Sequence, residues 1–210
     1  FALIEQPDPV SIMAIPKLLI DPDYRKKILE QVRNPVVLDY FKNEYDKWTP
    51  SFRQEATQPV LNKTRAFLTN PLLRGIIGQT KSSFDFRWMM DNKKILLCNL
   101  GKGALGEDVS SLLGSLIVTK LSLAALSRAD APEDDAHRRL HILYADEVQN
   151  FIYGVDLATI LAEARKYHLV LTMATQTLSQ LPEPSIAAVF GNCATVISFR
   201  VGGDDAQVLQ

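Results

Sequence analysis

Cysteine is nearly missing from this chain. Cys98 and Cys193 are the two among 210 residues, and each stands in or beside an apolar run. Two such thiols exclude a disulfide framework and read as buried, reduced side chains, which fits a cytoplasmic setting. A surplus of either charge is missing as well. Lys and Arg number 23 against 24 Asp and Glu, a formal net charge of -1, so no global basic field advertises nucleic acid and any DNA contact must be local. No apolar run approaches the roughly 18 residues of a membrane span, and no signal-peptide pattern opens the chain. The first residues, FALIEQPDPV, carry no methionine, and the chain is expected to be a piece of a longer protein. What remains is 47% hydrophobic and 22% charged, an ordinary globular balance.

A phosphate-binding G-x-x-x-x-G-K-[ST] loop is also lacking. The nearest approach is ILLCNLGKGALGED, where Gly101 and Gly106 have the right spacing after an apolar run. The places of the Lys and the Ser or Thr are taken by Glu107 and Asp108. Two carboxylates repel a triphosphate but suit the positive end of a helix. The stretch therefore reads as a glycine-rich strand-to-helix turn.

Prolines punctuate the first third, and several follow Asp, Asn or Thr, the grammar of an N-cap with Pro at the first helical position. DPDYRKKILEQV, NPVVLDYFKNEYDKW, QPVLNKTRAFL and NPLLRGIIG are expected as successive packed helices. After Phe84 the pattern changes. KKILLCNL reads as a buried strand, Asp108 to Ser127 as a long helix, LHILYA as a second strand, Asp156 to Tyr167 as a helix, HLVLTMA as a third strand, PSIAAVFG as a helix and ATVISFRV as a fourth strand. Continuous apolar strands alternating with helices predict an α/β fold with a mostly parallel sheet covered on both faces.

Chemistry concentrates at strand ends. LHILYA runs into Asp146 and Glu147, and the carboxyl end of a parallel strand is where ligands bind. An Asp there can hold magnesium, and the adjacent Glu can polarise a water that attacks a phosphate. Gln176 ends the next strand and can bond both water and phosphate oxygen. Arg165 lies near a helix C-terminus, from which it can reach a neighbouring subunit. Plain readings stay open at each position: a capping carboxylate, a turn-capping amide and a cation favoured by a helix dipole. His137 and His141 are four apart, but one lies in a polar loop and the other opens a strand, which disfavours a metal site. Arg25 to Lys27, near Tyr24, Tyr40 and Phe41, read as a solvated helix face in preference to a DNA contact. Asp204 and Asp205 follow Gly202 and Gly203 in a second glycine turn, with a plain N-cap as the simple reading.

LHILYADEVQNF, LAEARKYHLVLTMATQTLSQL and GNCATVISFRVGGDDAQVL, preceded by ILLCNLGKGALGED and LLGSLIVTKL, resemble in that order the latter half of the motor domain of TraG/TraD-type conjugative coupling ATPases, within the FtsK/HerA superfamily. The resemblance covers Phe84 to Gln210 well and the helical first third only loosely. It implies a P-loop NTPase fold of the RecA/FtsK type that lacks its Walker A strand here, with a helical portion over 1–83 and an α/β core over 84–210. It further implies ATP and Mg2+ as cofactors of the parent protein, Asp146 as the Walker B residue that holds the magnesium, Glu147 as the catalytic carboxylate, Arg165 as an arginine finger and Gln176 as a sensor. The expected parent is a ring, a hexamer, that moves DNA toward a type IV secretion channel with a relaxase or other secretion components. It would be cytoplasmic or tethered to the inner membrane through a region ahead of Phe1. The loop and lysine of Walker A would also precede Phe1, so this chain alone is expected to lack activity. A HerA-like repair translocase or secretion-energising ATPase is the alternative within the class. A catalytically silent docking module is the alternative outside it.

Overall fold

Four helices of the first 83 residues begin in the same way, with a polar cap followed by proline. In the computed structural model, which describes residues 1–132, 138–152 and 154–209, the chain divides into two compact units, Phe1–Ser83 and Phe84–Gln210. In the first, α1 (Ala14–Ile20) is followed by α2 (Pro22–Leu29), whose cap Asp21 accepts from the amides of Asp23 and Tyr24. Asn34 likewise caps α3 (Pro35–Asp39), Thr49 caps α4 (Pro50–Thr69) and Asn70 caps α5 (Pro71–Ile77). Each cap satisfies amides that have no partner inside the helix, and each proline fills a position whose N–H is not needed. A π-helical turn, Tyr40–Glu44, and a 3-10 turn, Tyr45–Lys47, continue α3.

Two expectations change here. Pro59 does not start a helix but sits inside α4, despite the usual cost of an interior proline. Arg25 is not on a solvated face. It is buried, pairs with Asp46 at 3.0 Å, donates to the carbonyls of Leu18 and Leu19, and lies over the Tyr45 ring at 5.0 Å. It is thus a strut within the core built by Leu18, Ile28, Val32, Phe41 and Tyr45.

The second unit begins with α6 (Phe86–Asp91), capped by Asp85, then the short α7 (Lys102–Leu105) and the long α8 (Glu107–Leu126). Gly106, at φ 81°, makes the turn between them, a conformation glycine adopts without the steric cost other residues meet. Glu107 and Asp108 occupy the first turn of α8 and complement its dipole. By length and composition the stretch from Glu107 to Asp130 is long and apolar enough to cross a membrane, contrary to the expectation from apolar runs alone; half of its apolar 18-residue window is buried.

Two of the four expected strands form. β1 (His141–Ala145) and β2 (Leu169–Met173) pair in parallel, His141 opposite Leu169 through Ala145 opposite Met173. Between them run α9 (Leu157–Glu163) and a 3-10 turn, Ala164–Tyr167; after β2 come α10 (Glu183–Asn192) and α11 (Gly203–Leu209). The segments 94–100 and 195–199 have no regular secondary structure and join no ladder, and Ile95, Leu97 and Phe199 are 87%, 90% and 89% exposed. Their apolar character suits a strand, but a strand also needs a hydrogen-bonded neighbour, and none of the described residues supplies one. Cys98, expected to be buried, is accordingly exposed.

The ends of the sheet away from the Asp-Glu step are held by arginine. Arg128, fully buried, pairs with Asp91 at 2.7 Å and donates to the carbonyls of Arg139 and Tyr167 at 2.9 and 3.0 Å, one just before each strand. Arg138 donates to the carbonyls of Lys166 and Ala131. Around them pack Met90, Leu121, Ala125 and Leu169. Replacing Arg128 by Ala should leave the two carbonyls without their donor and Asp91 with only Arg87, at 3.5 Å, and cost about 1–3 kcal/mol. Urea unfolding of the variant, compared with the parent chain, would measure this; a loss below 1 kcal/mol would refute the clamp.

Candidate functional site

The site grows from the parallel register. Because β1 and β2 run together for five paired residues, their carboxyl ends finish side by side. The pairing extends one step further, through Ala174 N to Ala145 O at 2.9 Å and Val148 N to Ala174 O at 3.0 Å. Asp146–Glu147 and Thr175–Gln176 therefore leave the sheet on the same rim.

Glu147 and Gln176 meet there. The Gln176 side-chain amide donates to Glu147 Oε1 at 2.5 Å. The other carboxylate oxygen, Oε2, accepts from the side-chain amide of Gln149, also at 2.5 Å. Two amides thus fix the carboxylate in one orientation, and both hydrogen bonds involve an ionised acceptor, the stronger kind. Gln149 went unremarked in the sequence, although its place two residues after Glu147 in DEVQN was the available signal. Its own carbonyl oxygen is buried without a partner among the described residues.

The backbone at Glu147 is left-handed, with φ 54° and ψ 47°. For a residue with a side chain this costs about 1–2 kcal/mol, and such conformations persist where surrounding structure enforces them. Here the enforcing bonds are Glu147 N to Asp146 Oδ1 at 3.0 Å and Val148 N to the carbonyl of Ala174. Asp146 itself is exposed.

A groove of about 1570 Å³ opens beside this rim, lined among others by Leu96, Ser110, Tyr144, Asp146, Glu147 and Gln176. Asp146 lines it with an exposed carboxylate, a donor set that suits a hydrated divalent cation. Of the cations lining the groove, Lys93, Lys94, Lys102 and Arg139, Lys102 is ion-paired with Glu107 at 2.8 Å and holds that carboxyl below its ordinary pKa. No three His, Cys, Asp or Glu among the described residues converge on a metal position. His137 lies outside the described residues. His141 opens β1, where burial, with the Arg128 guanidinium adding to it, pushes the imidazole pKa below its ordinary value.

Arg165 is not brought to this rim. It is exposed in the 3-10 turn that precedes β2, at the opposite end of the strand from Gln176, with roughly 16 Å of strand between them. No acidic partner pairs with its guanidinium among the described residues.

Residues 141–210, the last third of the chain, match the family described as the TraM recognition site of TraD and TraG. No curated protein and no solved structure matches the chain. The matched segment includes β1, Asp146, Glu147, β2, Gln176 and α11, and it supports a fragment of a TraG/TraD-type conjugation coupling protein.

The turn that carries Glu147 is braced from below. Phe151, directly after the 3-10 turn Val148–Asn150, lays its ring against Gly114 of α8, where an added Cβ would stand 2.1 Å from Cδ1 and 2.7 Å from Cγ. Gly114→Ala gains about 1 kcal/mol of helix propensity but must displace the ring near its attachment, an overpacking cost of about 1–3 kcal/mol. Net destabilisation is expected, read as a lowered thermal midpoint. A midpoint at or above that of the parent chain would mean that Phe151 swings aside freely.

Proposed function

We propose that this chain is part of a conjugative coupling motor and houses the water-orienting half of its ATP site. The observation that carries the reading is the Glu147–Gln176 hydrogen bond across the carboxyl ends of adjacent parallel strands, inside the segment similar to TraD and TraG. The fold that goes with this reading is a RecA/FtsK-type P-loop NTPase whose Walker A strand and lysine are contributed from outside these residues.

When bound, ATP with Mg2+ supplies the scissile phosphate and the neutralising cation. Asp146, exposed at the rim, would hold the hydrated cation. Glu147, pinned by the amides of Gln149 and Gln176, presents a carboxylate of fixed direction to the attacking water, a preorganised charge that needs no rearrangement at the moment of reaction. Gln176, bonded to that carboxylate, reports its position to the segment after β2. Arg165, far from its own chain's rim and exposed, is placed to serve a neighbouring subunit, which fits a ring, a hexamer. DNA is the proposed cargo and the cytoplasmic face of the inner membrane the proposed location.

The family's description favours a second function in the same residues: docking of TraM, a relaxosome component, or of another secretion component on residues 141–210. Docking and hydrolysis are compatible, and the first does not require the second.

In the complete motor, Glu147→Gln keeps shape and hydrogen bonding but removes the charge, and should cut turnover at least ~100-fold with ATP binding near normal. Arg165→Ala should be silent in binding and defective only on assembly. Rings mixed from the two variants should regain turnover at interfaces where an intact Glu147 meets an intact Arg165. Mixed rings, confirmed by sedimentation, that never exceed either variant alone would count against the trans role of Arg165. Full turnover by Glu147→Gln would leave docking as the surviving function.

A further inference from the structure

The loop that carries Gln176 is held at its start by the sheet and in its middle by Glu147. Its far end is held by a residue 27 positions away. The 3-10 turn Leu178–Gln180 begins right after Thr177, which as the preceding residue makes no side-chain cap. The amide of Leu178 instead donates to Oδ2 of Asp205 at 3.1 Å. Asp205 belongs to α11 and is only 7% exposed. A carboxylate that buried is costly unless hydrogen-bonded, and this bond meets part of that need while supplying the cap the turn lacks. The aspartate expected to cap its own helix therefore caps another element.

One residue, Thr177, separates the capped amide from Gln176. The segment between is drawn in by its own bonds: Thr175 Oγ1 donates to the Thr177 carbonyl at 3.1 Å, and the hydroxyls of Thr177 and Ser179 share a bond at 3.2 Å. Leu181, just past the turn, is buried with Ala145, Val148, Ile152 and Leu157. The path Asp205, Leu178 N, Thr177, Gln176, Glu147 is thus continuous, and its outer end lies on α11.

We propose that Asp205 is a positioning residue for Gln176: by capping the turn after β2 from α11, it holds the side-chain amide of Gln176 on the Glu147 carboxylate. The consequence for turnover rests on the motor reading above, whereas the consequence for the position of Gln176 does not. A merely structural Asp205 would weaken the fold without a specific link to Gln176.

Two measurements separate these cases. In NMR of the 210-residue chain, Asp205→Ala should speed exchange of the Leu178 amide and shift the side-chain NH2 resonances of Gln176, while Ala188 in α10 keeps its protection. Asp205→Asn, which retains an acceptor oxygen, should preserve both signals and guards against loss of fold in the alanine variant. Unchanged Gln176 resonances in a folded Asp205→Ala chain would overturn the proposal. In the complete motor, Asp205→Ala should lower kcat about 10-fold, as small misplacements of reacting groups do, with KM for ATP unchanged and with Asp205→Asn restoring most of the loss. Combined with Gln176→Ala it should add nothing, because both act through one group. Losses that multiply in the double variant would refute the link to Gln176. Full turnover by Gln176→Ala would instead sink the motor reading and leave the NMR result to decide the positioning role.

Discussion

The buried guanidinium of Arg128 is the constraint on which the second unit depends. Two parallel strands of five residues are little structure by themselves, since a parallel pair gains its stability from cover on both faces and from defined ends. Arg128 defines those ends by binding the carbonyl that precedes each strand, and Asp91 neutralises it. Once the amino ends are aligned, the register carries the alignment to the carboxyl ends. A slip of one residue would turn every side chain to the other face of the sheet and separate Glu147 from Gln176. The site at one rim is therefore positioned by a charge buried at the other.

That dependence explains the division of labour along the strands. In the proposed motor, the carboxyl rim carries the groups that orient a water, and the amino end of β2 carries Arg165. On that reading one chain does not complete its own constellation, because the strand itself keeps the two apart. Subunits arranged head to tail would bring the exposed arginine of one toward the rim of the next, the heterologous contact that closes into rings.

Much of this was legible in the sequence. Three of the Pro-headed helices could be read because N-caps act locally: Asp21, Asn34 and Asn70 each need only the next three amides, whereas α4 starts at Pro50 and not at the expected Pro59. LHILYA and HLVLTMA could be read as strands from continuous apolar runs, and Asp146, Glu147 and Gln176 from their place at strand ends. Non-local facts were not legible. KKILLCNL and ATVISFRV carry the same apolar signal as the true strands, but a ladder requires a neighbour that composition cannot supply. Arg25 looked like a surface cation because its acid, Asp46, is 21 residues away. Asp205 looked like a cap for its own helix because nothing near it in sequence points to Leu178. Gln149 was readable in principle, since it stands two residues from Glu147, yet only the left-handed turn at Glu147 brings it onto the carboxylate.

The two apolar segments that join no ladder have a bearing on how the chain behaves in solution. Ile95 and Leu97 in one and Ile197 and Phe199 in the other present apolar side chains to water beside unpaired backbone, the combination that templates edge-to-edge aggregation. Each segment is bordered by cations: Lys93 and Lys94 lead into the first, with Lys94 lying over the Trp88 ring at 5.5 Å, and Arg200 follows the second. Charges at the borders of an unavoidable apolar stretch act as gatekeepers, because stacking copies in register would stack like charges as well. The lysines and the arginine at these borders thus oppose the stacking of two sticky stretches.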